Sequence, residues 1–190
     1  MNFRALSFLI LFVPSLLMAT EYHVDRSAKN LVKFTSDAKF ESFDGTTNNI
    51  DGYTYWEGSD ILSNNVIYFE VDLRTLDTGI GLRNRHMRED YLETDKYPMA
   101  SFKGKIVKAE KMPSGIFKVT AQGDMSIHGV TRPVEITGTL TPSSGDSYRI
   151  ASNFDLKLSD YKIPIPQLMF MKISDQMKMT LDFTIKEFRK

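Results

Sequence analysis

Apolar and polar residues alternate with a period of two along most of the chain, and between residues 32 and 158 one stretch of any length, residues 81–98, interrupts the pattern. The clearest case is Phe117, Val119, Ala121, Gly123, Met125 and Ile127 on one face, with Lys118, Thr120, Gln122, Asp124 and Ser126 on the other. Such spacing belongs to antiparallel strands with one dry and one wet face. Similar runs occupy residues 32–40, 67–73, 100–106, 134–140, 148–158 and 177–185. About eight strands, several longer than the usual five or six residues, predict an all-β fold: a closed antiparallel β-barrel with one short helix between strands. Turns are expected at Asp44-Gly45, at 112–115, at 128–132 and at 141–147, and a loop at 159–174. Within the run 46–57, whose inward face the pattern leaves open, Gly52 suggests a bulge or bend.

A barrel of roughly eight strands is either just filled by its own side chains or able to hold one small ligand. The inward face of the assigned strands carries no Asp, Glu, Lys or Arg, only hydroxyls such as Ser36 and Ser152. With simple hairpins at 109–115 and 128–132, Phe102, Gly123 and Gly138 share one cross-strand row and Gly104 and Ala121 the next. Small residues there suggest a cavity, because a filled core calls for Leu or Ile. The alternative is that Phe102 lies over the glycines, which would then serve curvature. With no cation inside, a deep carboxylate or phosphate would be an unpaired buried charge. The implied cargo is a long apolar chain with its polar head near a barrel mouth, each buried methylene contributing about 0.8 kcal/mol.

Arg4 precedes an apolar run from Ala5 to Leu17, and Ala19 offers a small residue for cleavage. Residues 1–19 read as a secretory leader, too short and wrongly flanked for a stable membrane span, and residues 20–190 as the barrel domain. Cysteine is absent, which excludes a lipoprotein anchor, disulfides and thiol chemistry. Without the leader the chain carries 23 Lys and Arg, one fewer than its 24, against 24 Asp and Glu. A formal charge of −1 gives no reason to expect nucleic acid or an anionic membrane as partner.

The interrupting stretch reads as a helix over residues 82–92. Arg83 and Arg85 open it and Glu89, Asp90 and Glu93 close it, against the helix dipole, with Arg85 and Glu89 spaced to pair at i, i+4. Charges so placed find partners in loops at the barrel rim, or stay solvated. His23, His86 and His128 lie far apart, without metal-ligand spacing, so neither a metal nor a cofactor is expected. No nucleophile or phosphate-loop motif is present. The loop around Met169, Phe170 and Met171 suits an entrance flap, or ordinary packing across a barrel end.

Thr78-Gly79, then Leu82-Arg-Asn-Arg-His-Met-Arg88, Lys96-Tyr-Pro98 and Ser101-Phe102, and later Gly123-Asp-Met-Ser-Ile-His-Gly-Val-Thr-Arg-Pro-Val134, form an ordered set. With Tyr22-His-Val-Asp25 and the strand holding Val32 and Phe34, this set resembles the YceI-like family of secreted bacterial lipid-binding proteins. The resemblance implies a lipocalin-like barrel in the periplasm, enclosing a polyisoprenoid or similar long-chain amphiphile, with no catalytic residues. It departs at Leu158-Ser-Asp-Tyr-Lys-Ile163, where the family commonly shows an arginine and then Asp-Phe-Gly.

The expectation is therefore a periplasmic carrier of a polyisoprenoid or a long-chain fatty acid or amide, acting alone or as a homodimer. Its ligand-binding residues are expected to be Phe34, Phe69, Phe102, Gly123, Met125, Gly138, Phe154, Met169, Phe170 and Met171. The competing readings are a hydrolase acting at the rim through His86 or His128, and a ligand-free factor with a filled core.

Overall fold

The computed structural model describes residues 19–37, 42–165, 167–168 and 171–189, with backbone alone at 167, 168, 171 and 172. The leader, apart from Ala19, lies outside the described residues, as do Ala38, Phe40, Met169 and Phe170, and of Met171 only the backbone is described.

The strands are β1 (Ala19–Val24), β2 (Leu31–Asp37), β3 (Ser42–Thr47), β4 (Ile50–Glu57), β5 (Val66–Asp72) and β6 (Met99–Lys111). They continue as β7 (Phe117–Ile127), β8 (Val130–Ser143), β9 (Ser147–Lys157), the short β10 (Gln167–Leu168) and β11 (Met171–Lys172), and β12 (Gln176–Glu187). Eight of them close a barrel in the order β1-β4-β5-β6-β7-β8-β9-β12, and pairing of Val24 with Ile185 joins the last to the first. Every ladder is antiparallel, and the pair β2–β3 attaches to the rest of β12, Met177 to Asp182.

Both β1 and β2 run antiparallel to β12, so they act as one strand interrupted at residues 25–30. Asn30 repairs the break: its amide donates to the Asp25 carbonyl at 2.9 Å and its oxygen accepts from Thr184 N at 3.1 Å. Such replacement is what keeps a buried ladder gap from leaving backbone groups unsatisfied. Asn65 does the same beside β5, donating to the carbonyls of Leu62 and Ile106 and accepting from Ile106 N. It sits where the β6–β7 register shifts between Ile106 and Lys108, a bulge that bends the wall.

Pairing corrects three local expectations. Asp44-Gly45 is no turn; both lie within β3, where Gly45 opposes Phe34 and the Phe34 ring occupies the space a Cβ would need. The second hairpin turns on two residues, His128 (φ +50°) and Gly129 (φ +70°), the pair of left-handed residues that matches strand twist. With that tight turn and the bulge in β6, the cross-strand rows shift: Phe102 opposes Met125, Gly104 opposes Gly123, and Gly138 opposes Val119.

The interruption between β5 and β6 is an insertion rooted by Leu73 N, which donates to the Pro98 carbonyl at 2.8 Å. Its helix is shorter than expected: α1 spans Gly81–His86, and Met87–Tyr91 widens into a π-turn. The insertion stands beside the outer edge of β3, to which it is joined by the reciprocal bonds of Thr46 and Asp77. Its charges bond to the loop before α1: Arg83 donates to the Thr78 carbonyl and hydroxyl, Arg88 to the Leu76 carbonyl. The side-chain pair at i, i+4 joins His86 to Asp90 at 2.6 Å, one residue on from the expected Arg85 and Glu89. A helix of this length has little dipole to oppose, so its basic start is inexpensive.

Candidate functional site

Alternation carries the apolar faces of β2, β5, β6, β7, β9 and β12 inward, and where they meet they leave a cavity of about 730 Å³. One end is shut by an aromatic plug. Tyr22 stacks on Trp56 with ring centroids 4.5 Å apart, and Tyr148 meets both edge-on. Leu140, Phe183 and Ile185 belong to the same buried cluster. The Tyr22 hydroxyl sits in this plug, and burial, helped by neighbouring Tyr148, pushes its pKa up to about 12. The chamber is thus blind at the end where β1 pairs with β4 and β12.

At the other end the walls are continued by the insertion and by the segment after β9. Leu82, Arg83, His86, Met87, Tyr91 and Leu92 line the chamber from the insertion, and Leu158, Ile163 and Ile173 line it from the far side. Ile80 and Leu82 also line it, yet are 50% and 57% exposed, so the apolar surface runs out to solvent at this mouth. Below the mouth the polar residues along the wall are Ser101, Thr137 and Ser152, of which Ser101 and Thr137 alternate with the inward Ala100, Phe102, Ile136 and Gly138 and so turn their hydroxyls away from the chamber. The Ser152 hydroxyl is already spent, donating to the Thr137 carbonyl at 2.6 Å. Among the described residues that line the chamber there is no carboxylate.

Of the residues singled out from sequence, Phe34, Phe69, Phe102, Met125, Gly138 and Phe154 line the cavity. Gly123 does not. It faces Gly104 across the β6–β7 ladder, so close that a Cβ on either would strike the opposite strand's backbone. These glycines admit a close strand approach, and the Phe102 ring reaches over Gly104. Both sequence readings of the inward glycines therefore hold in part: the ring covers one of them, and the chamber still exists beside it. The flap residues Met169, Phe170 and Met171 lie outside the described side chains.

The residues missed by sequence reasoning are chiefly on the insertion. Leu82, Met87, Tyr91 and Leu92 are its apolar positions, interleaved with the charges whose partners the sequence places in rim loops or in solvent. Spacing of i, i+4, i+5 among Leu82, His86 and Met87 was the available signal of an inward stripe.

The histidines are dispersed. His86 is on the rim, paired with Asp90, whereas His128 sits at the β7–β8 turn with its side chain 9% exposed. His128 Nε2 meets Glu93 at 2.8 Å, Nδ1 faces the Tyr161 carbonyl at 3.3 Å, and its ring lies edge-on to Tyr97. That arrangement latches the end of the insertion to the barrel. Among the described residues no group of three or more His, Asp and Glu side chains is placed to hold a metal, and no helix is long and apolar enough to cross a membrane.

A closed antiparallel barrel around one apolar, one-ended chamber defines a small-ligand-binding barrel. Residues 22–185 match the YceI-like domain, and the chain belongs to that family. A UPF0312 protein of Vibrio cholerae is 26% identical over 164 residues, covering 82% of this chain and 84% of its own. One from Pseudomonas putida is 28% identical over 159 residues, covering 78% and 79%. Among solved structures, BcnA of Burkholderia cenocepacia superposes with a TM-score of 0.71 at 16% identity, over 85% of this chain and 98% of its own. A polyisoprenoid binding domain from Saccharophagus degradans, implicated in plant cell wall breakdown, has a TM-score of 0.71 at 18% identity, over 88% and 98%.

Proposed function

We propose that this protein is a periplasmic carrier that sequesters a long-chain lipid, a polyisoprenoid or an acyl compound, in its barrel. The observation that carries the reading is the chamber itself: about 730 Å³, walled by aliphatic and aromatic side chains, blind at the Tyr22–Trp56 end and open beside α1. Taking a water-sized share of roughly 30 Å³ as the unit, that volume holds on the order of two dozen methylene-sized groups. At about 0.8 kcal/mol for each buried methylene, apolar burial alone suffices for tight binding after the costs of ordering and association.

The polyisoprenoid binding domain of S. degradans shares the fold and lends support to an isoprenoid cargo. The leader read in residues 1–19 supports a place outside the cytoplasm. Native mass spectrometry and solvent extraction of the protein purified from its secreted fraction test both parts. A co-purifying lipid of prenyl or acyl type is expected, from chains beginning near Ala19. Repeated recovery of an empty barrel that takes up no polyprenyl or acyl compound overturns the carrier reading, and a chain retained in the cytoplasm overturns the location.

A further inference from the structure

The apolar wall of the chamber does not stop at the mouth. Ile80 and Leu82 belong to the same lining as Phe34, Phe43 and Leu76, and among the described residues they are the two most exposed large apolar side chains, at 50% and 57%. Leu62, Met112 and Phe188 are exposed too, but each stands singly at the blind end, on the β4–β5 and β6–β7 connections and after β12. Scattered apolar residues of that kind are ordinary on a protein surface. Ile80 and Leu82 differ because glycines separate and precede them. Gly79-Ile80-Gly81-Leu82 carries no polar side chain, all four residues are exposed, and a Cβ on either glycine would meet nothing within 4 Å. They form a bare apolar tip.

The base of this tip is tied down. Asp77 Oδ1 accepts from Gly79 N at 2.8 Å and from Asn84 Nδ2 at 2.7 Å, and Asn84 Oδ1 accepts from Thr78 N at 2.8 Å and from the Thr78 hydroxyl at 2.7 Å. Ile80 occupies the N-cap of α1 without a side-chain cap bond, where Ser, Thr, Asp or Asn is favoured and Ile is among the poorest choices. Helix stability is forgone and the tip stays apolar, the kind of broken local rule expected at a functional position.

We propose that this tip is a docking lip, which enters the surface of a lipid bilayer so that cargo passes between bilayer and chamber along the apolar path that Ile80 and Leu82 carry outward. The assignment rests on the lipid-carrier reading and adds where the carrier loads and unloads. Continuity of tip and chamber wall chooses the occupant. A chain crossing water between membrane and barrel exposes each methylene, a penalty of roughly four-fold for every one, and a path with one end in the bilayer avoids it. The contact is apolar in kind: residues 81–98 carry Arg83, Arg85, Arg88 and Lys96 against Glu89, Asp90, Glu93 and Asp95, so their formal charges cancel. Membrane affinity scales with the apolar area buried, and two half-exposed side chains give the weak, reversible docking that a carrier needs in order to leave again.

Stopped-flow transfer of cis-parinaric acid, a fluorescent long-chain acid, from the loaded protein to phosphatidylcholine vesicles holding a quencher tests the lip. The rate should rise in proportion to vesicle concentration and change little between about 0.05 and 0.5 M NaCl. Ile80→Ser and Leu82→Ser should each slow transfer roughly four- to ten-fold, the worth of burying the exposed half of one such side chain. Met112→Ser alters a comparably exposed residue at the blind end and should leave the rate unchanged. In Leu82→Trp the indole emission should shift to the blue when vesicles are added, against a constant background from Trp56, which is 3% exposed. A rate independent of vesicle concentration overturns the lip alone and leaves a protein as the tip's occupant. Slowing in Met112→Ser equal to that in the lip variants overturns it as well, as does a steep loss of transfer with salt. A dimer that Leu82→Ser splits in sedimentation without vesicles makes the tip an interface between copies and rules out the bilayer. Failure of the protein to take up parinaric acid at all overturns the lip together with the carrier reading.

Discussion

Tyr22 lies nearly parallel to Trp56, ring centroids 4.5 Å and planes 18° apart, and the two close the barrel where its last strand returns to its first. Tyr22 is 8% exposed and Trp56 3%, so this contact is part of the core as much as a stopper.

Because burial raises the Tyr22 hydroxyl from its ordinary 10 to about 12, the folded state favours the neutral phenol more than the unfolded chain does. That contribution is complete below pH 10 and is lost as pH rises through about 12. A shift of this size corresponds to about 2–3 kcal/mol. Urea unfolding at a series of alkaline pH values should show stability falling across this window, and a Tyr22→Phe variant should show a shallower fall. An equally steep fall in Tyr22→Phe would place the titrating group elsewhere.

Gly123→Leu will unfold the protein before it fills the cavity. Its Cβ would collide with the Lys103 carbonyl and with Gly104, both backbone, so the β6–β7 ladder must part. Gly123→Ala should already cost about 1–3 kcal/mol, the usual range for overpacking, measured by chemical denaturation. Lipid affinity per folded molecule should stay unchanged, because Gly123 lies against the β6 backbone and is not among the residues that line the chamber.

The barrel was legible because alternation survives wherever one face of a strand is dry: each inward residue from Phe117 to Ile127 could be assigned without knowing its neighbours. Register was not, since it depends on turn geometry. Reading 128–132 as the turn, when His128 and Gly129 alone make it, moves every partner in β8. Asp44-Gly45 misled for a related reason: a turn dipeptide and a glycine covered by a cross-strand aromatic look alike in sequence, and only the Phe34 ring tells them apart. The mouth was hardest to read. Arg83 and His86 acquire their place from an insertion seated beside β3, a relation among elements remote in sequence.

The hairpin at His128-Gly129 should be sensitive to one substitution and tolerant of another. Gly129→Ala puts a methyl 2.5 Å from Tyr97 Cε1 at a left-handed φ of +70°, and should cost about 1–3 kcal/mol. His128→Asn suits the left-handed backbone and loses mainly the bond to Glu93, a cost of about 0.5–1.5 kcal/mol. Thermal unfolding of the two variants should separate them in that order. Faster amide exchange over residues 87–93 in His128→Asn would report release of the latch.

Ser36 is fully buried on β2, and its hydroxyl has no partner among the described residues. An unmade hydrogen bond of this kind costs about 1–3 kcal/mol of desolvation. Ser36→Ala should therefore raise stability, by about 1 kcal/mol after the loss of the oxygen's own packing, visible as a higher denaturation midpoint. A lower midpoint would mean that the hydroxyl is satisfied after all.

Phe102 is the position at which chamber volume can be changed with least effect on the fold. It lines the cavity from β6, opposite Phe69 on one side and Met125 on the other, and it is only partly buried, with open chamber before it. Phe102→Trp enlarges the flat aromatic side chain that reaches over Gly104 and lines that space. If the indole displaces about two methylenes' worth of cargo, about 1.6 kcal/mol of burial is lost, roughly fifteen-fold in affinity for a chain that fills the chamber. A chain short enough to leave that region empty should bind as before, so the variant should shift the preferred length downward. Titration of a series of polyprenyl or acyl chains against both proteins, with unfolding curves to confirm equal stability, reads this directly. Uniform weakening at every length would point to a distorted wall, and unchanged affinity for the longest chain would move the cargo away from Phe102.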